Sequence, residues 1–118
     1  MAINLESLAS LDGFIGACVV DSESGMVLGS LGGGDRINLD IAAAGNTEVI
    51  RAKRKTVKSL ALQDEIEDIL ISLGSQYHIM RPLETNDALF LYLALDRERA
   101  NLGLARHQAK QLDKTIQI

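Results

Sequence analysis

Residues 88–95 read Ala-Leu-Phe-Leu-Tyr-Leu-Ala-Leu, an unbroken apolar run of strand length. A strand of this kind has no face to offer water, so it belongs inside a sheet with material packed on both sides. The rest of the chain has to supply that cover. Residues 14–20 and 26–30 are apolar runs separated by the turn cluster Asp21-Ser22-Glu23-Ser24-Gly25, the pattern of a hairpin. Residues 65–73 gather Ile66, Ile69, Leu70, Ile71 and Leu73 into a further strand, with Gly74-Ser75 as the next turn. In residues 76–81, Tyr77, Ile79 and Arg81 alternate with His78 and Met80, and Pro82 limits that strand.

Other stretches carry helical spacing instead. Residues 4–11 place Leu5, Leu8 and Ala9 together, with Asn4 as a cap and Asp12-Gly13 as a stop. Residues 38–62 contain no proline and predict a helix of about six turns, softened by Gly45, Asn46 and Thr47. A last helix is expected to open at Asp96, with Leu102, Ala105, Ala109, Leu112 and Ile116 as its apolar stripe. The order helix, two strands, helix, three strands, helix gives an α+β fold in which helices cover a five-stranded antiparallel sheet.

The 118 residues leave room for one domain, spanning 1–118. Twelve Lys and Arg against 16 Asp and Glu give a net charge of −4, which argues against a dedicated non-specific nucleic-acid binder. The only aromatic side chains are Phe14, Tyr77, Phe90 and Tyr92, too few for a stacking platform for bases or sugars. Cys18 has no partner for an intrachain disulfide and sits in an apolar run, which fits a reducing, cytoplasmic setting. Before its first apolar stretch the N-terminus carries Glu6 and no basic residue, and no segment approaches the ~20 apolar residues of a membrane span. Neither secretion nor membrane insertion is expected.

Catalytic patterns are missing. Gly32-Gly33-Gly34 lacks the Gly-Lys-Ser/Thr and Gly-x-Gly-x-x-Gly companions of a phosphate loop, so a flexible connector is the reading. His78 and His107 have no ligand or carboxylate at metal-binding spacing, and the serines show no Gly-x-Ser-x-Gly elbow. Asp64, Glu65, Glu67 and Asp68 lack the glycine and alternation of a calcium loop and read as an exposed acidic lead-in to a strand. No catalytic residue, cofactor or metal is expected.

Two surface patterns remain. Arg51, Arg54, Lys55 and Lys58 fall at i, i+3, i+4 and i+7 on the long helix. Like charges at this spacing repel, so an acidic partner, or the acidic lead-in of a second copy, would offset them; a solvated face is the bland alternative. The run Ile69-Leu70-Ile71-Ser72-Leu73 directly after that helix reads as an apolar edge strand, a liability unless covered, and pairing with its own copy about a two-fold axis would cover it.

Leu11-Asp12-Gly13-Phe14-Ile15-Gly16-Ala17-Cys18-Val19-Val20-Asp21, with Gly25-Met26-Val27-Leu28 after it, resembles the opening of the roadblock and dynein light chain family. The segments at 68–73, 77–83, 88–91 and 95–106, the last ending Asn101-Leu102-Gly103-Leu104-Ala105-Arg106, are similar to later family segments in the same order. The resemblance spans residues 5 to about 112. It implies a homodimer that joins two five-stranded sheets, a non-enzymatic role, and scaffolding or regulation of a small Ras-like GTPase. Regulation of that kind works by shifting the GTPase's own switch residues. It also implies that the dimer surface falls on Val49, Ile50, Val57, Leu60, Ile69, Leu70 and Ile71, which leaves Arg51, Arg54, Lys55 and Lys58 as candidate partner-binding residues. A small-molecule sensor holding a ligand between sheet and helices is the alternative.

Overall fold

The computed structural model describes residues 3–116. Residues 1, 2, 117 and 118, which the expected domain includes, lie outside the described residues. The elements are a 3-10 turn (Glu6–Leu8), β1 (Phe14–Asp21), β2 (Val27–Gly32), α1 (Leu39–Ser59), β3 (Ile69–Ser72), β4 (Gln76–Pro82), β5 (Leu89–Asp96) and α2 (Leu102–Asp113). The strands form one sheet in the order β2-β1-β5-β4-β3, with every neighbouring pair antiparallel. The apolar run is therefore the central strand, as its composition requires. No helix among the described residues is long and apolar enough to cross a membrane.

Alternation along β5 divides the interior into two layers. Leu89, Leu91, Leu93 and Leu95 face α2 and the 3-10 turn, packing with Leu8, Val19, Ala105, Ala109 and Leu112. Phe90, Tyr92 and Ala94 face α1, packing with Val20, Met80, Ala43 and Ile50. The strand is buried on both sides because the layers sit on opposite faces of one pleat.

Four expectations need correction. Residues 4–11 form only a single 3-10 turn: Asn4 Oδ1 accepts from Glu6 N at 2.9 Å, but so short a segment cannot repay helix nucleation. The last helix opens at Leu102, where Asn101 Oδ1 caps Leu104 N at 3.0 Å. Asp96 is instead the end of β5 and holds a turn, its side chain accepting from Glu98 N at 3.0 Å. The strand expected over 65–73 is confined to Ile69–Ser72. Continuing its register past Ile69↔Met80 would set Glu67 opposite Pro82, which has no N–H to give.

The glycine triplet is also a built turn and not a flexible connector. All three residues have positive φ (75°, 88° and 53°), and Gly33 N donates to the Ile15 carbonyl at 2.8 Å. A Cβ on Gly33 would meet the Ile37 carbonyl oxygen at 2.9 Å. The lack of side chains there lets the chain reverse from β2 into α1 against the sheet.

The C-terminus of α1 carries a strained residue. Ala61 has φ +56°, and the amides of Ala61 and Leu62 donate to the carbonyls of Lys58 and Val57, closing the helix in the Schellman pattern. That position favours glycine, because an L side chain in the left-handed region costs about 1–2 kcal/mol. Ala61→Gly is therefore expected to raise stability by about 0.5–1 kcal/mol, read as a higher urea midpoint at unchanged slope.

Candidate interaction surface

Of the chemistry-bearing residues, Cys18 and His78 have structural occupations. Cys18 is buried in the α1-side layer, and burial pushes its thiol up to about 12, which removes it as a nucleophile at neutral pH. His78 Nε2 donates to Gln76 Oε1 at 2.8 Å, which leaves Nδ1 to accept from the Tyr92 hydroxyl at 3.1 Å. His107 is exposed on α2. Among the described residues no three His, Cys, Asp or Glu side chains converge on a point that could hold a metal ion.

Burial lowers the His78 pKa, with a sign that can be checked. Below the unfolded value near 6.5 the unfolded chain takes up the proton first, so stability falls as pH drops through and below about 6.5. The expected result is a melting temperature that declines between about pH 7 and 5.5. His78→Gln is expected to flatten that decline; an unchanged slope would assign it to other groups.

What the chain does expose is an edge. Among the described residues β3 ends the sheet and pairs only with β4, which leaves one side of its backbone unpartnered there. Its side chains straddle the sheet. Ile69 and Ile71 lie half-buried on the α1 face, and Leu70 lies on the α2 face, 39% exposed. α1 packs on β1 and β2, so the α1 face of the sheet is less covered toward β3. Val49, half-buried, and Leu60, 61% exposed, lie on a flank of α1 away from its most buried positions, Ala43, Thr47 and Ile50. The structure thus leaves Val49, Leu60, Ile69, Leu70 and Ile71 with surface to offer. Ile50 is fully buried within the protomer, and Val57 turns into a groove at the end of the sheet.

The basic row has partners in its own protomer. Arg51 donates to the Glu23 carbonyl at 2.6 Å and stands 3.8 Å from Glu48, and Arg54 donates to the Asp87 carbonyl at 2.5 Å. These contacts fasten the C-terminal half of α1 to the β1–β2 and β4–β5 loops, and they offset the repulsion that the spacing implies. Lys55 and Lys58 remain exposed.

The ion pairs of two arginines were not anticipated. Arg81 Nε donates to Asp113 Oδ2 at 3.1 Å with both side chains nearly fully buried, and Arg81 also reaches Glu84 Oε1 at 3.1 Å. Asp113 accepts from Glu84 N as well, at 3.1 Å. Arg106 makes a two-pronged contact with Asp68, at 2.9 and 3.0 Å, joining α2 to the lead-in of β3; hydrogen bonding to that carboxylate raises the arginine's pKa. Strand alternation placed Arg81 beside Tyr77 and Ile79 on a core-facing side, and an arginine there demands a carboxylate.

No protein-family model matches the chain, and no curated protein matches it. Solved structures do. The chain is similar to the Roadblock/LC7 domain from Streptomyces avermitilis at a TM-score of 0.79 and 15% identity, covering 93% of this chain and 88% of that one. It is similar to Myxococcus xanthus MglB at 0.74 and 18%, covering 86% and 78%. Similarity to the gliding protein MglB from Thermus thermophilus gives 0.70 and 17%, covering 95% and 87%. At these identities and coverages the likeness is one of fold, and the chain has the roadblock/LC7 fold.

Proposed function

We propose that this chain, acting as a single domain, is a non-catalytic homodimeric scaffold or regulator that binds a small Ras-like GTPase and modulates its switch state or its localisation. The observation that carries the reading is the apolar edge strand β3 beside an exposed flank of α1, on a roadblock/LC7 fold. Two copies joined along β3 would form one sheet of ten strands with the long helices side by side. Val49, Leu60, Ile69, Leu70 and Ile71 would line that junction, while Lys55 and Lys58, held in place by the anchoring of Arg51 and Arg54, would meet the partner. Regulation then needs only that the dimer hold one state of the GTPase switch loops more tightly than the other. A difference of ~1.4 kcal/mol gives a tenfold shift.

The experiment is to titrate the purified protein into candidate small GTPases loaded with GDP or with a non-hydrolysable GTP analogue. Affinities at least about tenfold apart are expected for a regulator. Equal affinities would remove regulation and leave scaffolding, and no binding to any small GTPase would remove the partner.

The sensor alternative finds no support in the packing. The two layers between sheet and helices are filled by side chains, and the groove that Val57 lines opens at the end of the sheet instead.

A further inference from the structure

Where α1 ends, the chain leaves a groove of about 800 Å³ between the segment leading into β3 and the β4–β5 loop. Its apolar lining comes from Val57, Leu62, Ile66, Pro82 and Leu83. Its charges are unbalanced. Arg81 is consumed by Asp113 and Glu84, and Arg54 is held by the Asp87 carbonyl. Of the remaining charged groups in the lining, the four carboxylates Asp64, Glu65, Glu67 and Asp87 make no ion pair among the described residues, against two cations, Lys58 and Arg54, whose charge the carbonyl leaves intact. One wall also has open backbone. Among the described residues, the N–H and C=O groups of Ile66 and Glu67 make no hydrogen bond, although each residue of the neighbouring β3 is in register with one of β4.

Unsatisfied backbone along one wall suits an extended chain, which can hydrogen-bond to it as an added strand. The apolar lining suits one or two aliphatic side chains, and uncompensated carboxylates on both walls suit flanking positive charge. We propose that this groove is a docking site for an extended, arginine- and lysine-rich peptide segment of a partner protein, anchored by an aliphatic residue. The site needs neither the GTPase nor the β3 junction, so its failure would leave the reading above untouched.

The test uses the full chain, labelled with nitrogen-15, and three acetylated and amidated peptides. Arg-Lys-Leu-Val-Arg-Lys is the probe, Glu-Glu-Leu-Val-Glu-Glu reverses its charge, and Arg-Lys-Gly-Ser-Arg-Lys removes the anchor. The first is expected to shift the amides of residues 62–68 and 83–87 saturably, and to bind at least about tenfold more tightly than either control. Binding should weaken several-fold when salt is raised from about 0.05 to 0.5 M. The variant E65K/E67K changes only exposed side chains, so it should keep the parent melting temperature and lose at least about tenfold in affinity. Shifts located elsewhere, equal binding of the probe and either control, or unchanged affinity of the folded variant would overturn the proposal. Amides of residues 62–68 that respond to dilution of the protein and not to peptide would overturn it too, because a second copy would then fill the groove.

Discussion

Asp113→Ala is expected to cost about 3–5 kcal/mol of folding stability, a large part of what a domain of this size has. The truncation removes far more than one contact. It leaves the Arg81 guanidinium, 4% exposed, with only the half-exposed Glu84 as counter-ion, and it strips the Glu84 amide of its acceptor. A buried charge without its partner is the costly outcome, whereas removing both charges is not. Arg81→Met combined with Asp113→Leu should therefore recover most of the loss. Urea unfolding of Arg81→Met, Asp113→Leu and the double variant forms a mutant cycle. Single variants within about 1 kcal/mol of the parent would mean that α2 does not depend on this ion pair.

Ile71→Asp is expected to abolish self-association, weakening it by at least about a hundredfold, the usual size of a central interface contact. Ile71 packs partly against the protomer's own α1-side layer, so misfolding could mimic that result. Leu70→Arg is the control. Leu70 faces the other side of the sheet and is 39% exposed, so the protomer should tolerate arginine while the β3 junction should not. Sedimentation with a parallel thermal melt separates the two effects. A dimer that survives in both folded variants would place any self-association somewhere other than β3.

The sequence disclosed most where periodicity had one solution. Residues 88–95 could only be a central strand, and the alternation of Tyr77 and Ile79 against His78 and Met80 placed each side chain on the face where it is found. It misled where a local signal had two uses. Asp96 looked like a helix cap because its carboxylate does hold an amide, but that amide belongs to a turn and the helix waits for Asn101. Glu65 to Asp68 looked like strand because Ile66 continues the apolar run, yet Pro82 across the sheet has no N–H to extend the ladder. The surface was least legible, because it depends on distant contacts. The basic row on α1 reads as four free charges, and only the fold brings the carbonyls of Glu23 and Asp87 against Arg51 and Arg54. Ile50 and Val57 differ little from Val49 in sequence character, and the rotation of α1 on β1 and β2 decides which of them reaches solvent.

The β3 edge as a self-pairing surface is tested most directly by sedimentation of the unmodified chain over a wide concentration range, followed by amide hydrogen exchange on the same samples. Self-pairing predicts a species of twice the 12.8 kDa protomer mass, with slow exchange at the β3 backbone groups that point away from β4. A species of 12.8 kDa at every concentration, with those same amides exchanging at the rate of free backbone, would contradict it.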